Sequence, residues 1–109
     1  EGSVVDSVAK LSASGAAIVG LMVRGCTSTN NVFGIFIRPG GVAIGNVANS
    51  NAAGGISVNN ATATSNTAIN NGDYGFEGAC PGTLVGNTAY HNGVNFRTNG
   101  ACTMANNAQ

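Results

Sequence analysis

The chain is 109 residues long, enough for one domain and too short for two. Charged residues make up 7% of it, and four basic side chains balance four acidic ones, so no run of Lys and Arg is present to neutralise nucleic-acid phosphates or an anionic membrane surface, and neither partner is expected. No apolar run approaches the ~18 residues of a membrane-spanning helix, and with one His and three scattered Cys no metal site or cofactor motif is expected either.

Seventeen Gly, two Pro and no Trp accompany a hydrophobic content of 43%. The apolar residues come in short Val, Ile and Phe runs between Gly and Asn, and the runs recur at a steady interval, so repeats are read first. In chain order, the units are marked by Val5-Asp6-Ser7, Val23-Arg24-Gly25, Ile44-Gly45-Asn46, Thr64-Ser65-Asn66, Val85-Gly86-Asn87 and Met104-Ala105-Asn106. Two residues past each triplet stands Ala9, Thr27, Ala48, Ala68, Ala89 or Ala108. Five past it stands Ser12, Asn30, Asn51, Asn71 or Asn92. Further along each unit comes a large apolar residue: Ile18, Ile35, Ile56, Phe76 or Phe96.

A period of ~20 residues with β-branched positions and Gly/Asn punctuation predicts a stacked coil of short strands, not helical repeats of roughly 33 to 47 residues. Each strand then pairs in parallel with its equivalent in the next turn, at ~4.8 Å per turn. The expected fold is all-β: a short right-handed parallel β-helix of about five to six turns, forming one domain over 1–109. The domain is read as a piece, or a minimal version, of a longer solenoid. The column Val5, Val23, Ile44, Thr64, Val85 and Met104 is expected to point inward, as is the column from Ile18 to Phe96. The Ala column marks a tight inner corner. An Asn side chain carries both donor and acceptor and tolerates left-handed backbone. Asn46, Asn66, Asn87 and Asn106, and Asn30, Asn51, Asn71 and Asn92, are therefore expected to form structural ladders bonding up and down the stack.

The stretches Gly86-Asn87-Thr88-Ala89-Tyr90-His91-Asn92-Gly93, Asn70-Asn71-Gly72-Asp73-Tyr74-Gly75-Phe76 and Cys26 through Ile37 resemble the right-handed parallel β-helix repeat of the pectate-lyase-like superfamily. The resemblance spans roughly Gly2 to Ala108. It implies the fold, and for function it implies a range: pectin and alginate lyases, polygalacturonases, epimerases, phage tailspikes, adhesins and other surface proteins. Enzymes of that superfamily use longer stacks with added loops. Here the turns are tight, and little loop is left from which to build a cleft.

The carboxylate side chains are Glu1, Asp6, Asp73 and Glu77. Asp73 and Glu77 share one turn without carboxylates at matching places above and below, so a calcium cluster is not expected. As a pair they are candidates for general acid and base. Glu77 and Arg97 each follow an inward Phe on successive turns. They read as an outward-facing ion pair, with a lyase-like Arg beside a carboxylate as the alternative. His91 is a corner residue or a proton shuttle. The catalytic candidates are thus Asp73, Glu77, His91 and Arg97. Phe36, Arg38, Tyr74 and Tyr90 are candidates for stacking on a sugar or bonding to its hydroxyls. Gly78-Ala79-Cys80 and Gly100-Ala101-Cys102 repeat one turn apart, which places two thiols on adjacent turns. They form either a disulfide, which suits a secreted protein, or a packed thiol pair.

Carboxylate clustering is poor, so the expected function is non-catalytic: a structural or recognition module of an extracellular or cell-surface protein, with a polysaccharide as candidate partner. The alternative is a minimal or truncated polysaccharide lyase or glycoside hydrolase acting on an acidic polysaccharide. The final turn stops at Gln109 before a residue equivalent to Phe96 recurs. Exposed strand edges and core side chains at the ends of such a stack predict end-to-end self-association, or neighbouring segments that supply caps.

Overall fold

The computed structural model describes the backbone of residues 3–5, 8–10 and 16–109, and side chains from 18 onward. The strands are β1 (Ser3–Val5), β2 (Val8–Lys10), β3 (Ala16–Arg24), β4 (Thr27–Thr29), β5 (Phe33–Ile44), β6 (Val47–Asn49), β7 (Gly54–Asn59), β8 (Thr62–Thr64), β9 (Thr67–Ile69), β10 (Tyr74–Ala79), β11 (Thr83–Val85), β12 (Thr88–Tyr90), β13 (Val94–Asn99) and β14 (Thr103–Ala105). Every strand pair is parallel and joins one turn to the next, so the fold is a short right-handed parallel β-helix.

Each turn has three sides. The longest carries the opening parts of β3 and β5, then β7, β10 and β13. A second carries β1, the closing parts of β3 and β5, then β8, β11 and β14. The third carries β2, β4, β6, β9 and β12. Full turns begin at Ala16, Phe33, Gly54 and Tyr74. Among the described residues the coil therefore has about four complete turns, fewer than the five to six expected.

The long side buries Ile18, Ile35, Ile56 and Phe76 as one column, and half-buried Phe96 continues it. The Phe76 and Phe96 rings stack with centroids 5.1 Å apart and planes 8° from parallel, close to the spacing of successive turns. On the second side the inward column is Val23, Ala43, Ala63 and Leu84, followed by Met104. Ile44, Thr64 and Val85 face outward instead, which corrects the expected column by one residue. The cause is the corner after each strand. Gly25, Gly45, Ser65, Gly86 and Asn106 have φ between 53° and 67°. Left-handed backbone breaks the strand alternation, so the residue after the corner and the residue two before it both face inside. On the third side Ser28, Ala48, Ala68 and Ala89 fill the inner corner; Ser28 takes the place expected for Thr27. Eight of the nine threonines stand at outward positions of the two short-strand sides, where β-branched side chains suit a half-covered pleated surface.

Two ladders run through the corners. In the first, Asn46 N–H donates to Asn66 Oδ1, Asn66 N–H to Asn87 Oδ1 and Asn87 N–H to Asn107 Oδ1, at 2.9–3.0 Å. Among the described residues Cys26 holds the lowest place and donates its backbone N–H to Asn46 Oδ1. The second ladder is Asn31, Asn51, Asn71 and Asn92. Two expected members are therefore corrected. Asn106 gives way to Asn107, and Asn30 to Asn31. Asn30 and Asn106 stand at the left-handed corners, with φ of 57° and 53°. Asn suits both the corner and the ladder, and in each doublet the second residue is the one turned inward. Among the described residues no buried side-chain N or O lacks a partner. The first triplet at 5–7 and Ser12 lie partly or wholly outside the described residues.

The second ladder also dictates a glycine column. A Cβ on Gly34, Gly55 or Gly75 would lie 3.0, 2.8 or 2.6 Å from the amide nitrogen of Asn51, Asn71 or Asn92. In the last turn Asn95 occupies this column. Its own Oδ1 accepts from Asn92 N–H and Nδ2 at 3.3 and 3.1 Å, so it takes the place of a next ladder residue. Finally, a disulfide joins Cys80 and Cys102 on adjacent turns, Cα to Cα 5.0 Å. Cys26 is buried.

Candidate functional site

The outer surface of the long side holds the one cluster of charged and aromatic side chains among the described residues. Strand pairing puts Phe36, Ser57, Glu77 and Arg97 in one outward column, a rung apart each time. Arg97 Nε and Nη2 donate to Glu77 Oε2 at 3.0 and 2.6 Å. Its Nη1 donates to both oxygens of Asp73 at 3.0 and 3.1 Å. Asp73 closes the corner just before β10, which lets it reach across to the turn that carries Arg97. The side chains are exposed by 40% for Arg97, 57% for Asp73 and 39% for Glu77, so the pairs are screened by solvent and contribute little to stability. The hydrogen bonding of Arg97 to the Glu77 carboxylate, which accepts, is the main cause holding the guanidinium above its ordinary pKa.

Tyr74 lies beneath this cluster, its ring centroid 4.7 Å from Arg97 Cζ. The ring is buried because it lies over Gly54, the preceding residue in its column; a Cβ there would clash with the Tyr74 Cζ and hydroxyl. Burial pushes the Tyr74 hydroxyl up to about 12. Glu77 and, more weakly, Asp73 add to the shift, while Arg97 and a hydrogen bond with Ser57 oppose it. Phe36 carries Arg38 over its face at 5.7 Å.

Two grooves flank the Glu77–Arg97 pair. One, of about 270 Å³, is lined by Phe33, Ile35, Phe36, Ser57, Tyr74 and Glu77. The other, also about 270 Å³, lies at the far ends of the same strands against Asn59, Glu77, Ala79, Arg97, Thr98 and Asn99. They share Glu77 and are offset from each other by one rung of the coil.

Of the residues singled out from sequence, the structure brings together Asp73, Glu77, Arg97, Tyr74, Phe36 and Arg38. It places Tyr90 and His91 on the third side and its corner, both exposed, with rings edge to face at 5.2 Å. His91 has φ of 57°, the same left-handed corner place as Asn30, Ser50 and Asn70. Sequence reasoning missed Phe33, Ser57, Asn59 and Asn99. The column Phe33, Gly54, Tyr74 and Val94 carried a signal: a glycine between two aromatics two rungs apart leaves room for a ring to lie flat. Among the described residues no three His, Cys, Asp or Glu side chains converge as a metal site would require. Set against protein-family models, curated proteins and solved structures, the chain matches none of them.

Proposed function

We propose that the chain is a non-catalytic recognition module of a secreted or cell-surface protein, built like the β-helices of the pectate-lyase-like superfamily, and that the outer surface of its long side binds carbohydrate. The observation that supports this most is the double engagement of Arg97. A general acid–base pair needs one carboxylate carrying a proton and another able to take one. Here Asp73 and Glu77 both accept hydrogen bonds from one guanidinium, and His91 stands on a different side of the coil. The exposed ring of Phe33 and the half-buried ring of Phe36 beside these polar groups suit a sugar ring, which offers an apolar face and a rim of hydroxyls.

The gathering of Asp73, Glu77 and Arg97 at one point supports a second reading, a minimal lyase or hydrolase. Incubation with a panel of plant, algal and bacterial polysaccharides separates the two. Retarded migration in gels containing a polysaccharide, with no unsaturated product and no new reducing ends, supports recognition. Steady product formation that stops in Arg97→Gln and Glu77→Gln supports the enzyme.

A further inference from the structure

We propose that the ligand of the long side is an uncharged oligosaccharide, lying obliquely across neighbouring rungs, with one sugar on the aromatic groove and another on the amide groove. This rests on the carbohydrate-recognition reading above. Charge carries the argument. Asp73 and Glu77 present two carboxylates to one guanidinium, and Arg38 over the Phe36 ring brings the formal charge of the whole cluster to zero. A site for an acidic sugar needs a cation with hydrogen-bond donors to spare. Arg97 has already committed Nε, Nη1 and Nη2 to Asp73 and Glu77, and an incoming carboxylate would meet both of those like charges. Arg38, the other cation of this side, lies over the Phe36 ring at its edge.

What remains suits hydroxyls. Glu77 binds Arg97 through Oε2 alone, and its Oε1 takes part in neither of those bonds. Asn59, Thr98 and Asn99 line the second groove with amide and hydroxyl groups that both donate and accept. Phe33 and Phe36 line the first with ring surface, and the buried Tyr74 ring forms part of its wall. The orientation follows from placement. The first groove is lined from β5, β7 and β10 and the second from β7, β10 and β13, so a chain joining them steps one rung along the coil as it passes from the Phe33 and Phe36 end to the Asn59 and Asn99 end of the strands. Six strand residues span ~20 Å, room for several sugars.

The test is calorimetry of the 109-residue chain with two matched sets of tetrasaccharides, neutral (β-glucan, xylan and mannan fragments) and charged (oligogalacturonate, oligoalginate and chitosan fragments). The expected result is binding to a neutral fragment with an affinity that stays within about twofold between low and high salt, since no ion pair forms with the ligand. Phe36→Ala should weaken it roughly tenfold and Asn99→Ala severalfold, with unchanged melting. Should Phe36→Ala melt early, the salt profile of the parent chain still decides. Binding confined to charged fragments, or weakened tenfold by salt, overturns this inference and leaves carbohydrate recognition standing. Binding to neither set overturns both.

Discussion

Replacing Asn66 by Ala tests the first ladder at its centre. Asn66 is 1% exposed and uses its whole amide. Its Oδ1 accepts from the N–H and Nδ2 of Asn46, both at 2.9 Å. Its Nδ2 donates to Ala43 O and to Asn87 Oδ1, both at 3.0 Å. Asn66→Ala removes all four bonds and leaves the Asn46 N–H buried without its acceptor. That one group costs about 1–3 kcal/mol. The small cavity and the lost bonds to Ala43 and Asn87 bring the total to about 2–4 kcal/mol. A domain of this size has about 5–15 kcal/mol in all, so melting followed by circular dichroism should fall by roughly 10 °C or more. Asn66→Asp sharpens the test. It keeps an acceptor for Asn46 but turns the second oxygen toward Ala43 O and Asn87 Oδ1, both acceptors. The buried carboxylate then holds its proton more tightly folded than unfolded, so this variant regains stability as pH is lowered from neutral toward about 4. An Asn66→Ala chain that melts within about 2 °C of the parent would refute the ladder as a stabilising element.

Further predictions concern the staple, the glycine column and the buried phenol. Reducing the Cys80–Cys102 disulfide, or making Cys102→Ser, removes a cross-link across 22 residues and should cost about 3 kcal/mol, read by urea titration. Gly75→Ala sets a Cβ 2.6 Å from the Asn92 amide, and should destabilise by roughly 1–3 kcal/mol, whereas Gly86→Asn, at an open corner with φ of 67°, should cost well under ~1 kcal/mol. Tyr74 keeps its proton up to about 12 when folded, above the ordinary value near 10, so the folded state is favoured while the phenol is neutral. Stability should therefore decline as pH rises through that window, and Tyr74→Phe should decline less; ultraviolet titration of Arg97→Gln should move the Tyr74 transition higher still, because Arg97 favours the phenolate. Light scattering of the 109-residue chain at micromolar concentration should show a dimer or larger species, as Val94 and Met104 are 44% and 42% exposed beside half-buried Phe96; a strict monomer counts against end-to-end association.

The columns spaced by one turn were legible because a stacked coil repeats its environment at every rung. Ile18 through Phe96, Asn46, Asn66 and Asn87, and the outward pair Glu77 and Arg97 all show in the sequence without coordinates. The errors cluster at corners. There a left-handed residue breaks the alternation that strand reading relies on, and so Ile44 was set inward in place of Ala43. The doublets Asn30-Asn31 and Asn106-Asn107 offered two residues of the same chemistry for one ladder place, and Cys26 concealed the ladder's lowest described rung because it is not an Asn. The site was half legible. Pairing of Arg97 with Glu77 follows from register, but the reach of Asp73 does not, since Asp73 lies in a corner outside any strand ladder. Tyr74 lying over Gly54 needed column reading applied to the first residue of each long strand.

The most direct measurement of the functional account is a heteronuclear NMR titration of the uniformly labelled chain with a neutral oligosaccharide that binds. The account predicts shifts confined to the long side, at Phe33, Phe36, Ser57, Asn59, Glu77, Arg97 and Asn99, with the saccharide recovered intact at the end. Shifts centred on Tyr90 and His91, or cleavage of the saccharide during the titration, would contradict it.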